Sequence, residues 1–151
     1  MTATASHRVE RHRGREAALQ LLYQWEIGRS EEATVDDGVE LYWTVHPAPA
    51  SRRAFATGLA RGTASRTEEI DPLIATHARN WRLSRMAVLD RLILRMAVYE
   101  FLRADTPPLV VIDEALELAK TFSGDKAVAF INGVLDSVRR EIAEQEDTPE
   151  T

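Results

Sequence analysis

The chain has 151 residues, no cysteine and a formal net charge of −5 at pH 7. That length predicts one domain able to bury about 70% of its unfolded surface without a staple, and the missing cysteines exclude disulfides and thiolate metal sites. No apolar run opens the chain and none approaches the roughly 18 residues a membrane span requires, so we expect a soluble cytoplasmic protein with no secretory signal and no membrane partner.

The first segment is basic. HRVERHRGRE, residues 7–16, sets Arg8, Arg11, Arg13 and Arg15 against Glu10 and Glu16, a local +2 that leaves −7 for the remainder of a chain totalling −5. A basic segment on an acidic body is a footprint for polyanion binding; on charge alone, a solvated terminus fits equally well. We read residues 1–10 as a flexible basic arm and 11–143 as a helical domain. Residues 144–151, EQEDTPET, carry no apolar side chain and read as a disordered acidic tail.

Behind the arm, Ala18, Leu21, Leu22 and Trp25 recur at helical spacing as far as Gly28, which predicts a helix over about 14–27 with a glycine cap. An acidic loop, 31–38, leads into a second helix near 35–45 that Pro47 and Pro49 end. A third begins near Ser51. Asp71-Pro72 pairs an N-cap residue with proline at a first helical position, so a break or a new helix is expected there. From Ser84 onward, RMAVLDRLILRMAVYEFLR is apolar almost all round, as in a central helix packed on several sides. Thr106-Pro107-Pro108 opens another helix, with Ile112, Ala115, Leu116 and Ala119 on one face. The last helix carries Ala127, Phe130, Ile131, Val134, Leu135, Val138 and Ile142 on one stripe. With no sustained strand pattern and no internal repeat, the fold class is all-α.

The search for catalysis finds little. There is no glycine-rich phosphate loop and no His-x-x-x-His pair. The four histidines are scattered, and the acid pairs Glu31-Glu32 and Asp36-Asp37 lie in loops with no partner to shift their pKa. We expect a binder with no catalytic residue, no cofactor and no metal, not an enzyme.

Four blocks carry a resemblance. GREAALQLLYQWE (14–26), NWRLSRMAVLDRLILRMAVYE (80–100), PLVVIDEALELAKTFSGDKA (108–127) and FINGVLD (130–136) resemble, in order and spacing, the NusB family of bacterial transcription antitermination factors. The likeness implies a compact all-helical fold of two small helical subdomains. It implies binding to the boxA element of nascent ribosomal RNA jointly with a ribosomal protein, NusE, within an RNA polymerase antitermination complex. The implied RNA contacts are Arg11, Arg13 and Arg15, then Phe122, Lys126 and Phe130 around the FSG turn; the implied partner contacts are Tyr23 and Asp90. Some members of the family self-associate, so a homodimer stays open here.

Elementary chemistry supports the same residues. Single-stranded RNA is held by bases lying on aromatic rings and phosphates meeting Arg or Lys. Arg11 and Arg15 are i,i+4 and share a face if the first helix extends backwards. Lys126 precedes Phe130 by one turn, and the amino end of the final helix offers N–H donors to an anion. Each residue also has a plain reading: Phe122 as a plug, Phe130 as core, Lys126 as a surface charge, Asp90 as the partner of a neighbouring arginine. His12 and Gly14 interrupt what is often a denser basic run in the family, so RNA binding without the partner is expected to be poor. Two other classes compete: the RNA-binding arm of an rRNA methyltransferase, for which no cofactor domain is present, and a helical scaffold that binds only protein.

Overall fold

The computed structural model describes residues 3–28 and 33–147. Within them the chain forms seven α-helices and no strand: α1 (Ala3–Ile27), α2 (Val39–Val45), α3 (Ala50–Ser65), α4 (Thr67–His77), α5 (Val88–Arg103), α6 (Pro108–Phe122) and α7 (Asp125–Asp147), with 3-10 turns at Val35–Gly38 and Leu83–Arg85. The expected all-α class holds. The chain divides into two compact helical units, residues 1–65 and 66–151. Part of the acidic loop and the last four residues of the expected acidic tail lie outside the described residues.

In the first unit α1 packs along α3. Ala17, Ala18, Leu21 and Leu22 of α1 and Ala56, Leu59 and Ala60 of α3 are all buried. Three side-chain bonds tie the connection between α1 and α2 to them: Trp25 Nε1 donates to the Ala33 carbonyl at 3.0 Å, Gln24 Nε2 to the Gly38 carbonyl at 3.1 Å, and Tyr42 Oη to Gln20 Oε1 at 2.7 Å. Helix α1 stops where Gly28 was expected to cap it, with the Gly28 N–H on the Gln24 carbonyl at 3.0 Å. Its start differs. The helix opens at Ala3, so residues 3–10, read as a flexible arm, form its first turns. The reason is tertiary: Arg52 on α3 donates twice to the Glu10 carboxylate, at 3.0 and 2.8 Å.

The second unit is built around α5, which buries nine residues from Leu92 to Phe101 and packs on α4, α6 and α7. The break expected at Asp71-Pro72 falls earlier, at Arg66, whose carbonyl accepts the N–H groups of Glu69 and Ile70. Pro72 sits inside α4 and forgoes one helical bond. Asp71 caps nothing; both its oxygens accept from Arg95 of α5, each at 2.9 Å. This fork-to-fork pair fixes α4 against α5. Pro108 opens α6 as its position predicts. Ala104 ends α5 in a left-handed conformation (φ 59).

Candidate nucleic-acid interface

The basic segment occupies the first half of α1. Arg8 and Arg13 are exposed and Arg11 is half-buried. The nearby acids have partners: Arg52 engages Glu10 and by hydrogen bonding holds its carboxyl below the usual carboxylate range, and His12 Nε2 lies 3.0 Å from the Glu16 carboxylate. With Glu10 neutralised by Arg52, the field the arginines present is less compensated than the sequence count implies.

Phe55 of α3 organises that face. Its ring lies under the Arg11 guanidinium, 4.1 Å from the centroid, with the Arg15 guanidinium at 5.5 Å. Both are within cation–π range. Arg15 departs from expectation here: it is 4% exposed, so it braces the helix from beneath and does not present itself to solvent phosphate. Phe55 and Arg52 were not among the sequence candidates, since neither carries a motif and their role depends on α3 lying against α1.

Gly14 lets the ring in. A Cβ there would stand 2.5 Å from Phe55 Cδ2, closer than any carbon contact tolerates. Gly14→Ala is expected to cost about 1–3 kcal/mol in overpacking, partly offset by about 1 kcal/mol of helix propensity. In a Phe55→Ala background the same change should stabilise, because only the propensity term is left. Urea unfolding of the four proteins measures this change of sign; equal effects in both backgrounds would mean that the ring simply moves aside.

The FSG turn in the second unit is a glycine-closed helix end. Phe122 is the last residue of α6, and Gly124 turns the chain at φ 105, with its N–H and that of Ser123 both on the Ala119 carbonyl at 2.8 Å. Asp125 then opens α7. Lys126 is exposed, while Phe122 and Phe130 are each half-buried. Lys126 and Phe130, one turn apart, share a face of α7, and the Phe130 ring makes an edge contact with Trp81, centroids 6.0 Å apart at 64°. The turn therefore offers a cation and two partly accessible rings at the positively polarised end of a long helix.

The two expected partner residues belong to different units. Tyr23 is 42% exposed on α1, with Ile27, 62% exposed, one turn on. Asp90 lies in the first turn of α5, where a carboxylate also complements the helix dipole. Its Oδ1 is shielded from solvent and has no hydrogen-bond partner among the described residues. The plain reading of Asp90, an ion pair with a neighbouring arginine, is thus not the arrangement seen.

Comparison with known proteins points one way. The sequence model of the NusB family matches residues 12–140. The chain is 44% identical over 143 residues to the transcription antitermination protein NusB of Solibacter usitatus, covering 93% of this chain and 96% of that protein. It is 45% identical over 134 residues to the NusB protein of Koribacter versatilis, covering 87% and 90%. Among solved structures, T. maritima NusB superposes with a TM-score of 0.77 at 32% identity, over 90% of this chain and 94% of that one. A crystal structure of antitermination factors NusB and NusE in complex with dsRNA shares the fold, with a TM-score of 0.76 at 23% identity over 87% and 97% of the two chains.

Proposed function

The chain belongs to the NusB family, and from that premise we propose that it is an RNA-binding transcription antitermination factor. It binds boxA-type RNA of nascent rRNA transcripts together with the ribosomal protein NusE, and the pair joins the antitermination complex on RNA polymerase. Its role is recognition and assembly, not catalysis. The observation that carries the reading is the first half of α1, where Arg8, Arg11 and Arg13 lie close along a chain of net charge −5 while the acid between them, Glu10, is paired with Arg52. In this reading these arginines meet phosphate, Phe122 and Phe130 stack on bases, and Lys126 meets an adjacent phosphate at the start of α7. Tyr23 and Asp90 face NusE.

The test is a titration of labelled boxA-type RNA with the full chain, with and without NusE. NusE should strengthen binding, and a scrambled RNA should bind less well. Phe122→Ala should weaken RNA binding by roughly 10-fold, since a stacked base is worth about 1–3 kcal/mol, with little change in melting temperature. Asp90→Ala should lower affinity for NusE and leave melting nearly unchanged. Equal binding of boxA and scrambled RNA, with no response to NusE, would sink the reading.

A further inference from the structure

We propose that residues 79–85, the loop between α4 and α5, form a second contact for single-stranded RNA centred on Trp81. This rests on the RNA-binding reading above and adds to it a site that neither the arginine face of α1 nor the FSG turn includes.

The loop concentrates what single-stranded RNA requires. Arg79, Arg82 and Arg85 are all exposed, and no acidic residue occurs between Asp71 and Asp90. In their midst Trp81 is 57% exposed. A large ring left in water is unusual in a helical protein with buried positions to fill. Here its edge contact with Phe130 leaves much of the ring open to a base. Aromatic surface interleaved with exposed cations fits flat bases and phosphates. A protein-docking core, by contrast, is depleted of charge.

The loop is also held in place. The Trp81 N–H donates to the Ala78 carbonyl at 3.0 Å, Arg85 N–H to Arg82 at 2.9 Å and Met86 N–H to Leu83 at 3.2 Å. Arg91 Nη1 of α5 donates to the Leu83 carbonyl at 2.9 Å, and Met86 is buried as an anchor. Ordering before binding reduces the entropy that an RNA complex must overcome. Through Phe130, the ring of Trp81 continues the platform of α7, so one strand stacked on Phe130 runs on to Trp81.

Salt titrations of a fluorescein-labelled single-stranded oligoribonucleotide against the full-length chain test this. Four variants are compared with the unmodified chain: Trp81→Ala, Trp81→Phe, a combined Arg79→Ala, Arg82→Ala, Arg85→Ala protein, and a combined Arg8→Ala, Arg11→Ala, Arg13→Ala protein. Trp81→Ala should weaken binding about 10-fold and Trp81→Phe should restore most of it, which a merely structural tryptophan would not show in affinity at equal folded fraction. The loop-arginine protein should flatten the slope of log K against log salt by about 2, at roughly 0.7 per phosphate contact on a single strand. If the α1 variant weakens binding while all loop variants match the unmodified chain in affinity and slope, the loop proposal is overturned and the RNA-binding reading stands. If the unmodified chain binds no RNA with NusE present, both fall. Loop variants that lose NusE but keep RNA would make the loop a protein contact and likewise overturn the proposal. Should Trp81→Ala melt early, Trp81→Phe and the loop-arginine protein decide.

Discussion

Alanine at Arg8, Arg11 and Arg13 together is expected to weaken RNA binding by roughly 100-fold and to remove about 2 from the salt slope. Each exposed, charge-assisted contact contributes on the order of 1 kcal/mol, and 1.4 kcal/mol is a factor of ten. Each phosphate contact on a single strand releases about 0.7 counterion. The loss should be similar for different RNA sequences, because phosphate contacts position the protein and do not read bases. Folding should be little affected: Arg8 and Arg13 are exposed, and Arg11 gives up its place over Phe55 and a long, exposed hydrogen bond to His7 Nε2. Arg15→Ala is the contrasting control. Arg15 as a whole is 4% exposed, so its removal should lower melting temperature first. Unchanged affinity and slope in the triple variant would reduce the α1 face to a solvated surface.

Leu135→Ala should destabilise the chain by about 2–5 kcal/mol, the range for a fully buried leucine truncated in place. Leu135 is 0% exposed on α7, beside Ile131 and Val138, also at 0%. At roughly 2–4 °C per kcal/mol for a protein of this size, melting should fall by about 4–20 °C. Asn132→Ala, three residues away in the same FINGVLD motif, should shift stability by no more than about 0.5 kcal/mol, because Asn132 is exposed. Calorimetry on the two variants therefore divides one motif into a packing half and a surface half. Similar melting temperatures for both would contradict the burial pattern of α7.

The helical periodicities translated directly into elements. The stripe of α7 (Ile131, Val134, Leu135, Val138) and the nearly all-apolar α5 are buried as their spacing requires, because amphipathic pattern and burial are two expressions of one geometry. Helix ends marked by local chemistry were equally legible: α1 stops at Gly28, Pro108 opens α6 through its restricted backbone, and Gly124 turns the chain after α6 through its freedom. The candidate site was legible in part. Charge placed the arginine segment, and the FSG turn carried the rings and the lysine.

Partners distant in sequence decided the rest. Asp71-Pro72 has the form of a helix start, yet Arg95 on α5 claims the carboxylate and α4 runs through the proline. The basic segment became the opening turns of α1, with Arg52 and Phe55 from α3 supplying contacts about forty residues away. Those same contacts separated Arg15 from Arg11 and Arg13, burying the first as a brace. Trp81 carried no reading of its own in the sequence beyond its place in the block 80–100, and only its exposure beside Phe130 shows it as surface. By itself the sequence determined the helices, their order and the sign of the charge on α1, because short-range geometry and composition carry those. Which arginines and which rings face solvent was settled by packing between helices, since exposure depends on neighbours that lie close in space and far apart along the chain.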